Sequence, residues 1–272
     1  MPDGYIPGNP SQDINYVRLV TQKIVNAIED KTDCKLGNKT IIGTSFGAMM
    51  SLFLAEKESQ ENTLNIEKYI SINPPIELLY ALKQIDNATA VWKNSDDLKQ
   101  KVALSAAKVI KMYELKNNNQ NIKLDILPFS EEEAKLITGF VLHQKLSDLV
   151  FTLENTSKTQ KTDIYEVINR MNYEDYAKKY LMQDRDNNLL AKETSLYFIS
   201  DYLQNNDNYK IYHTLDDYLV STNQLSKLKT LAQDNLILLN NGSHLGFLYR
   251  DEFLNELKAQ INLRRNIIAS KR

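Results

Sequence analysis

Residues 39–55, KTIIGTSFGAMMSLFLA, constrain this chain more than any other stretch. Thr40-Ile41-Ile42 is apolar and β-branched and reads as a buried strand, while Ala48 to Ala55 reads as a helix. Gly43-Thr44-Ser45-Phe46-Gly47 must turn the backbone between them. A serine in so sharp a turn takes a strained conformation that lifts its Oγ clear of the sheet. Small residues two before and two after it let strand and helix close up. The plain alternative is a tight turn with an incidental serine, so the pentapeptide needs its context.

That context is a βα pattern. Tyr69-Ile70-Ser71-Ile72, within 66–75, reads as a second buried strand. Asn73-Pro74-Pro75 stops it, because proline cannot donate to a ladder. A strand, a helix and a strand within about 35 residues form a βαβ unit, so the strands should be parallel. Upstream, residues 1–12 are rich in Pro and Gly and read as a loop. Residues 13–30 place Ile14, Val17, Val20, Ile24 and Ile28 on one helical face, with Asp13 as N-cap. From Ile76 to about residue 206 the pattern is helical, split by polar stretches such as Asn117 to Gln120. Ser130 and Glu133 form a capping box, and Ser95 and Thr162 are further caps. The tyrosines of this region and Trp92 read as core, although a pocket for an acyl chain or ring would use the same residue types. The βα pattern then returns, with strands at 209–214 and 236–239, helices at 222–233 and 248–264, and a basic tail. The expectation is an α/β fold with a mostly parallel sheet and a large helical insertion, divided as 1–75, 76–206 and 207–272.

Composition narrows the function classes. A net charge of −2 gives no global field toward nucleic acid or an anionic membrane. The single Cys34 excludes an intrachain disulfide and offers no metal-site spacing. No motif calls for a cofactor. No apolar run is long enough to span a bilayer. The N-terminus has no basic segment followed by an apolar one. The default compartment is therefore the cytoplasm, with export open if the true N-terminus is longer. Oligomeric state is not legible.

In a parallel α/β sheet, sites form at the carboxyl ends of strands. Ser45 follows the first strand, Asp216 and Asp217 the third, and His244 the fourth. Of the 8 glycines, Gly43, Gly47, Gly242 and Gly246 flank Ser45 or His244, which suggests unusual backbone or close approach at both places. Read alone, paired aspartates are commonly turn formers and a lone histidine is commonly structural. His213, inside a strand, and His143, inside a helix, read as packing or surface residues.

IIGTSFGAMMSLFLA resembles the nucleophile elbow of the α/β-hydrolases, NGSHLGF resembles their histidine loop, and HTLDDYLV is similar to their acid loop. The resemblance covers about half of the chain, the strand scaffold, whose strands look like the family's fifth to eighth. It implies Ser45 as nucleophile, His244 as base, Asp217 as the acid in preference to Asp216, and the Phe46 N–H as an oxyanion donor. The activity implied is cleavage of a carboxylic ester or related acyl bond, on a small-molecule or lipid acyl substrate. Acyl transfer to another acceptor shares the same intermediate. One departure matters. The loop that supplies the family's second oxyanion donor has no counterpart before Ser45, and losing one donor costs about 10²–10³ in turnover. The chain reads as N-terminally shortened, with about 60–120 further residues expected upstream. The alternatives are a truncated gene, or coverage of the exposed strand edge by helix 13–30. The departure also keeps open a non-catalytic relative that binds without turnover.

Overall fold

A computed structural model describes residues 5–93, 97–117, 130–154, 161–182 and 186–262. Ser95, the polar stretch Asn118 to Gln120, the basic tail and the side chain of Trp92 lie outside the described residues. The chain divides into two compact units. One comprises Met1–Ala81 with Asp184–Arg272, and the other Leu82–Gln183. The strand-bearing unit thus takes in residues 76–81 and 186–206, which the sequence pattern grouped with the insertion.

The strand-bearing unit is built on four strands, β1 (Lys39–Thr44), β2 (Ile66–Ile72), β3 (Tyr209–Thr214) and β4 (Leu236–Leu239). They lie in the order β1-β2-β3-β4 and every pair is parallel, as the βαβ spacing required. Helix α2 (Phe46–Glu61) covers one face and is buried without a break from Ala48 to Ala55, a stretch that is apolar except for Ser51. The Ser51 and Ser71 hydroxyls meet at 2.7 Å and tie α2 to β2. On the other face Ile70, Ile72 and Tyr212 pack with Phe247 and with Phe253 of the closing helix (Asp251–Asn262). The ladders run past the strand ends. Ser45 N–H donates to Ile72 O at 2.9 Å, Asn73 N–H to Tyr212 O at 2.8 Å, and Leu215 N–H to Leu239 O at 2.9 Å. Three loop starts are thereby pinned to the sheet.

Helix α1 (Pro10–Thr32) departs from expectation twice. It begins at Pro10, inside the stretch read as loop, because proline at the first helical position loses no hydrogen bond. Asp13 is therefore not the cap. It sits in the first turn, where its buried carboxylate accepts the Gly8 N–H at 2.7 Å. Of the five apolar residues on the expected face, Ile14 is buried while Val20, Ile24 and Ile28 are exposed. The helix is held to α2 by Arg18, which pairs with Glu58 at 2.8 Å and with Glu61. Among the described residues nothing covers the rest of that stripe.

The second unit is helical. It holds most of α3 (Leu78–Lys93), together with α4 (Leu98–Asn117), α5 (Glu131–Glu154), α6 (Lys161–Arg170) and α7 (Tyr173–Tyr176). The expected capping box opens α5: Glu133 N–H donates to Ser130 Oγ at 3.1 Å and Ser130 N–H to the Glu133 carboxylate at 2.9 Å. Thr162 is no cap but lies inside α6. Apolar residues at helical spacing run on from Thr162 to Met182, yet α6 ends at Arg170 and Asn172 caps α7. Asp86 accepts the N–H groups of Tyr173 and Glu174 at 2.8 and 2.9 Å, a carboxylate placed at the positive end of a short helix. No described helix is long and apolar enough to cross a membrane.

Candidate active site

Ser45 stands between β1 and α2 with φ 52° and ψ −126°, a conformation that a residue bearing a Cβ adopts only under constraint. The constraint is packing. A Cβ on Gly43 would lie 2.2 Å from Gly47 O and 2.7 Å from Ala48 Cα, so this close approach admits only glycine. Gly47 is different, since a Cβ there meets nothing within 4 Å. The first intrahelical donor is Ala48 N–H, which bonds Ser45 O at 2.9 Å. The N–H groups of Phe46 and Gly47 therefore precede the helical ladder at the positive end of α2.

The other two expected residues arrive from the ends of β3 and β4. His244 Nε2 lies 2.8 Å from Ser45 Oγ, and His244 Nδ1 lies 2.9 Å from Asp217 Oδ2. Ser45, His244 and Asp217 thus form one hydrogen-bonded line across three loops. The Asp217 side chain is 1 % exposed and that of His244 11 %, so the acid is sealed while the imidazole keeps an open edge. With the carboxylate on the Nδ1 side, the neutral ring carries its proton on Nδ1 and presents a free Nε2 lone pair to the serine. Burial pushes the Asp217 carboxyl up, but the hydrogen bond and charge of His244, the neighbouring His213 and the Asn73 amide outweigh it. The group is held below the usual carboxylate range.

Asp216 is exposed and does different work. Its carboxylate accepts Gly242 N–H at 3.1 Å and Ser243 N–H at 2.8 Å, gripping the loop that carries His244. Thr214 Oγ1 grips the same loop by donating to Ser243 O at 2.7 Å. The loop needs such anchors because Gly242, Ser243 and Leu245 all have positive φ, at 136°, 48° and 67°. Gly246 takes no left-handed backbone. His213 is fully buried, with ring nitrogens 3.0 Å from Thr214 O and 3.3 Å from Pro74 O, and burial lowers its proton affinity. His143 is also buried, within α5.

Sequence reasoning passed over Thr214 and Asn73. Asn73 looked like part of a strand stop, yet its side chain reaches Asp217 Oδ2 at 2.6 Å. The available signal was its place at the carboxyl end of β2, beside the ends that supply Ser45, Asp217 and His244. Among the described residues no group of three or more His, Cys, Asp or Glu side chains is placed to hold a metal ion.

No protein-family model and no curated protein matches the sequence. Solved structures with a related trace include proline iminopeptidase from Mycobacterium smegmatis, at 11% identity, TM-score 0.38, and coverage of 93% of this chain and 73% of that one. VinJ is similar at 13% identity, TM-score 0.39, covering 93% and 74%. A thioesterase domain from the curacin biosynthetic pathway is similar at 9% identity, TM-score 0.33, covering 87% and 72%. Likeness this low adds nothing to what the strand order and loops already say. All-parallel β1-β2-β3-β4 pairing, a strained serine turn after β1, and acid and histidine loops after β3 and β4 make this an α/β-hydrolase-like fold.

Proposed function

We propose that the chain is a serine hydrolase that cleaves a carboxylic ester or related acyl bond through an acyl-enzyme. The observation that carries the reading is the unbroken line from Ser45 Oγ to His244 Nε2 at 2.8 Å and from His244 Nδ1 to Asp217 Oδ2 at 2.9 Å. A serine hydroxyl is a weak nucleophile at neutral pH and needs an adjacent base. In this reading Ser45 Oγ attacks the acyl carbon while its proton passes to His244 Nε2. The imidazolium that forms is stabilised by Asp217, which stays ionised. The carbonyl oxygen becomes an oxyanion, and the Phe46 N–H at the start of α2 donates to it. As the tetrahedral species collapses, the bond to the leaving group breaks and His244 returns its proton to that group. Water then repeats the sequence on the acyl-enzyme, giving the acid and free Ser45. The strained φ of Ser45 supports the reading, because such strain persists where the surrounding structure enforces it and clusters at functional sites.

The test is covalent labelling by a fluorophosphonate, followed by turnover of aryl esters from short to long acyl chain. Stoichiometric labelling that disappears in Ser45→Ala is expected, with ester turnover reduced about 10⁴-fold or more in the same variant. Folded wild-type protein that takes no label and turns over no ester would defeat the proposal.

A further inference from the structure

Asn73 is fully buried at the end of β2 and has a left-handed backbone, φ 47°. Its Nδ2 donates to Asp217 Oδ2 at 2.6 Å and to Thr214 Oγ1 at 3.1 Å, with Ser243 O at 3.4 Å. Its Oδ1 is buried and accepts nothing among the described residues. A buried carboxamide with one half unsatisfied costs stability, and in a folded protein such a group calls for an explanation. The explanation lies on the satisfied half. Asp217 Oδ2 is the same oxygen that faces His244 Nδ1, so amide and imidazole share one acceptor. The other oxygen, Oδ1, accepts Leu219 N–H at 3.0 Å.

Resting on the serine-hydrolase reading of this site, we infer that Asn73 is a positioning residue: it orients the Asp217 carboxylate and offsets part of its charge, and so sets how tightly His244 holds a proton. The amide enters from β2, a strand that carries none of the three triad residues. It also reaches Ser243, next to His244, so a single side chain gathers the acid loop and the histidine loop. The titratable groups facing the Asp217–His244 pair are Ser45 from the turn after β1, Tyr218 from the acid loop and His213 from β3, while Asp216 is turned to the Gly242 and Ser243 N–H groups. The hydrogen bonds to Asp217 Oδ2 come from Asn73 Nδ2 and His244 Nδ1. His213 Nε2 stands 3.9 Å away. Removing the amide leaves more of the carboxylate charge to act on the imidazole.

The test is an NMR pH titration of the 3 histidines, with His244 assigned by His244→Gln. Asn73→Gly removes the amide and fits the left-handed backbone without strain. In that variant His244 is expected to bind its proton about three- to tenfold more tightly, since an uncompensated neighbouring anion favours the charged imidazole. Should the glycine variant fail to fold, Asn73→Ala serves at the cost of some backbone strain. A folded variant whose His244 titration stays in place, or moves to lower pH, overturns the inference. The readout does not depend on turnover. Wild-type protein that fails to label would sink the hydrolase reading alone, and the titration would still decide the role of Asn73.

Discussion

At the residue scale, the two glycines of G-x-S-x-G are not equivalent in this chain. The motif treats both as small by necessity, yet a Cβ on Gly43 would run into the Gly47 and Ala48 backbone while a Cβ on Gly47 would meet open space. Backbone atoms cannot step aside as a side-chain tip can. Gly43→Ala should therefore destabilise by about 2–3 kcal/mol or displace Ser45, as overpacking does. Gly47→Ala should change stability by less than about 1 kcal/mol and retain fluorophosphonate labelling. Chemical denaturation and labelling of both variants check this, and equal losses in the two would contradict it. The same scale explains the paired aspartates. Asp217 is buried against His244, whereas Asp216 is exposed and grips Gly242 and Ser243 by their N–H groups. Adjacent residues in a turn point in different directions, so one acid meets the ring and the other meets the loop beneath it.

At the element scale, α1 is the informative helix. Its spacing marked an apolar face, and the structure leaves Val20, Ile24 and Ile28 on that face exposed, with Leu19 beside them. Its partner is α2, reached through Ile14 and the Arg18 pairs with Glu58 and Glu61. Among the described residues the adjoining strand β1 pairs only with β2, and its Ile42 is also exposed. Periodicity reports which side of a helix is apolar, not whether anything lies against that side. Ile24→Lys should change unfolding free energy by no more than about 0.5 kcal/mol, as exposed substitutions do. A loss beyond about 2 kcal/mol would show that the stripe is covered in solution. Arg18→Ala should cost more than Ile24→Lys, because it leaves the buried Glu58 carboxylate without its guanidinium partner.

At the scale of the whole molecule, a histidine outside the Ser45–His244–Asp217 line gives the fold a dependence on pH. His213 is fully buried in β3, and burial holds its proton affinity below the ordinary value. In the unfolded chain a histidine titrates near pH 6.5. Below that pH the unfolded state takes up a proton that folded His213 resists, so folding stability falls as pH drops from about 7 toward 5. Asp217 adds to this at lower pH. Its folded carboxyl is depressed, so its contribution is present above the ordinary carboxylate value and is lost as pH falls through the folded one. The thermal midpoint should decline over this range, with a shallower slope between pH 7 and 5 in His213→Gln. Identical slopes in the two proteins would remove His213 from the account.

Much of this arrangement was legible in the chain. The four strands, their parallel direction and the turns at Ser45, Asp217 and His244 follow from local patterns, because alternation, β-branching and turn chemistry act over a few residues. The break between α6 and α7 was missed because apolar spacing runs through it, and only the Asn172 cap and the Asp86 carboxylate show where one helix ends and the next starts. Asn73 and Thr214 were illegible as site residues for another reason. Each acts through a partner far along the sequence, such as Asn73 with Asp217, 144 residues on. By itself, the sequence determined which residue types stand at the ends of which strands. Only the tertiary structure decided that those ends lie side by side, because strand order and ladder register join segments whose contacts leave no trace in local spacing.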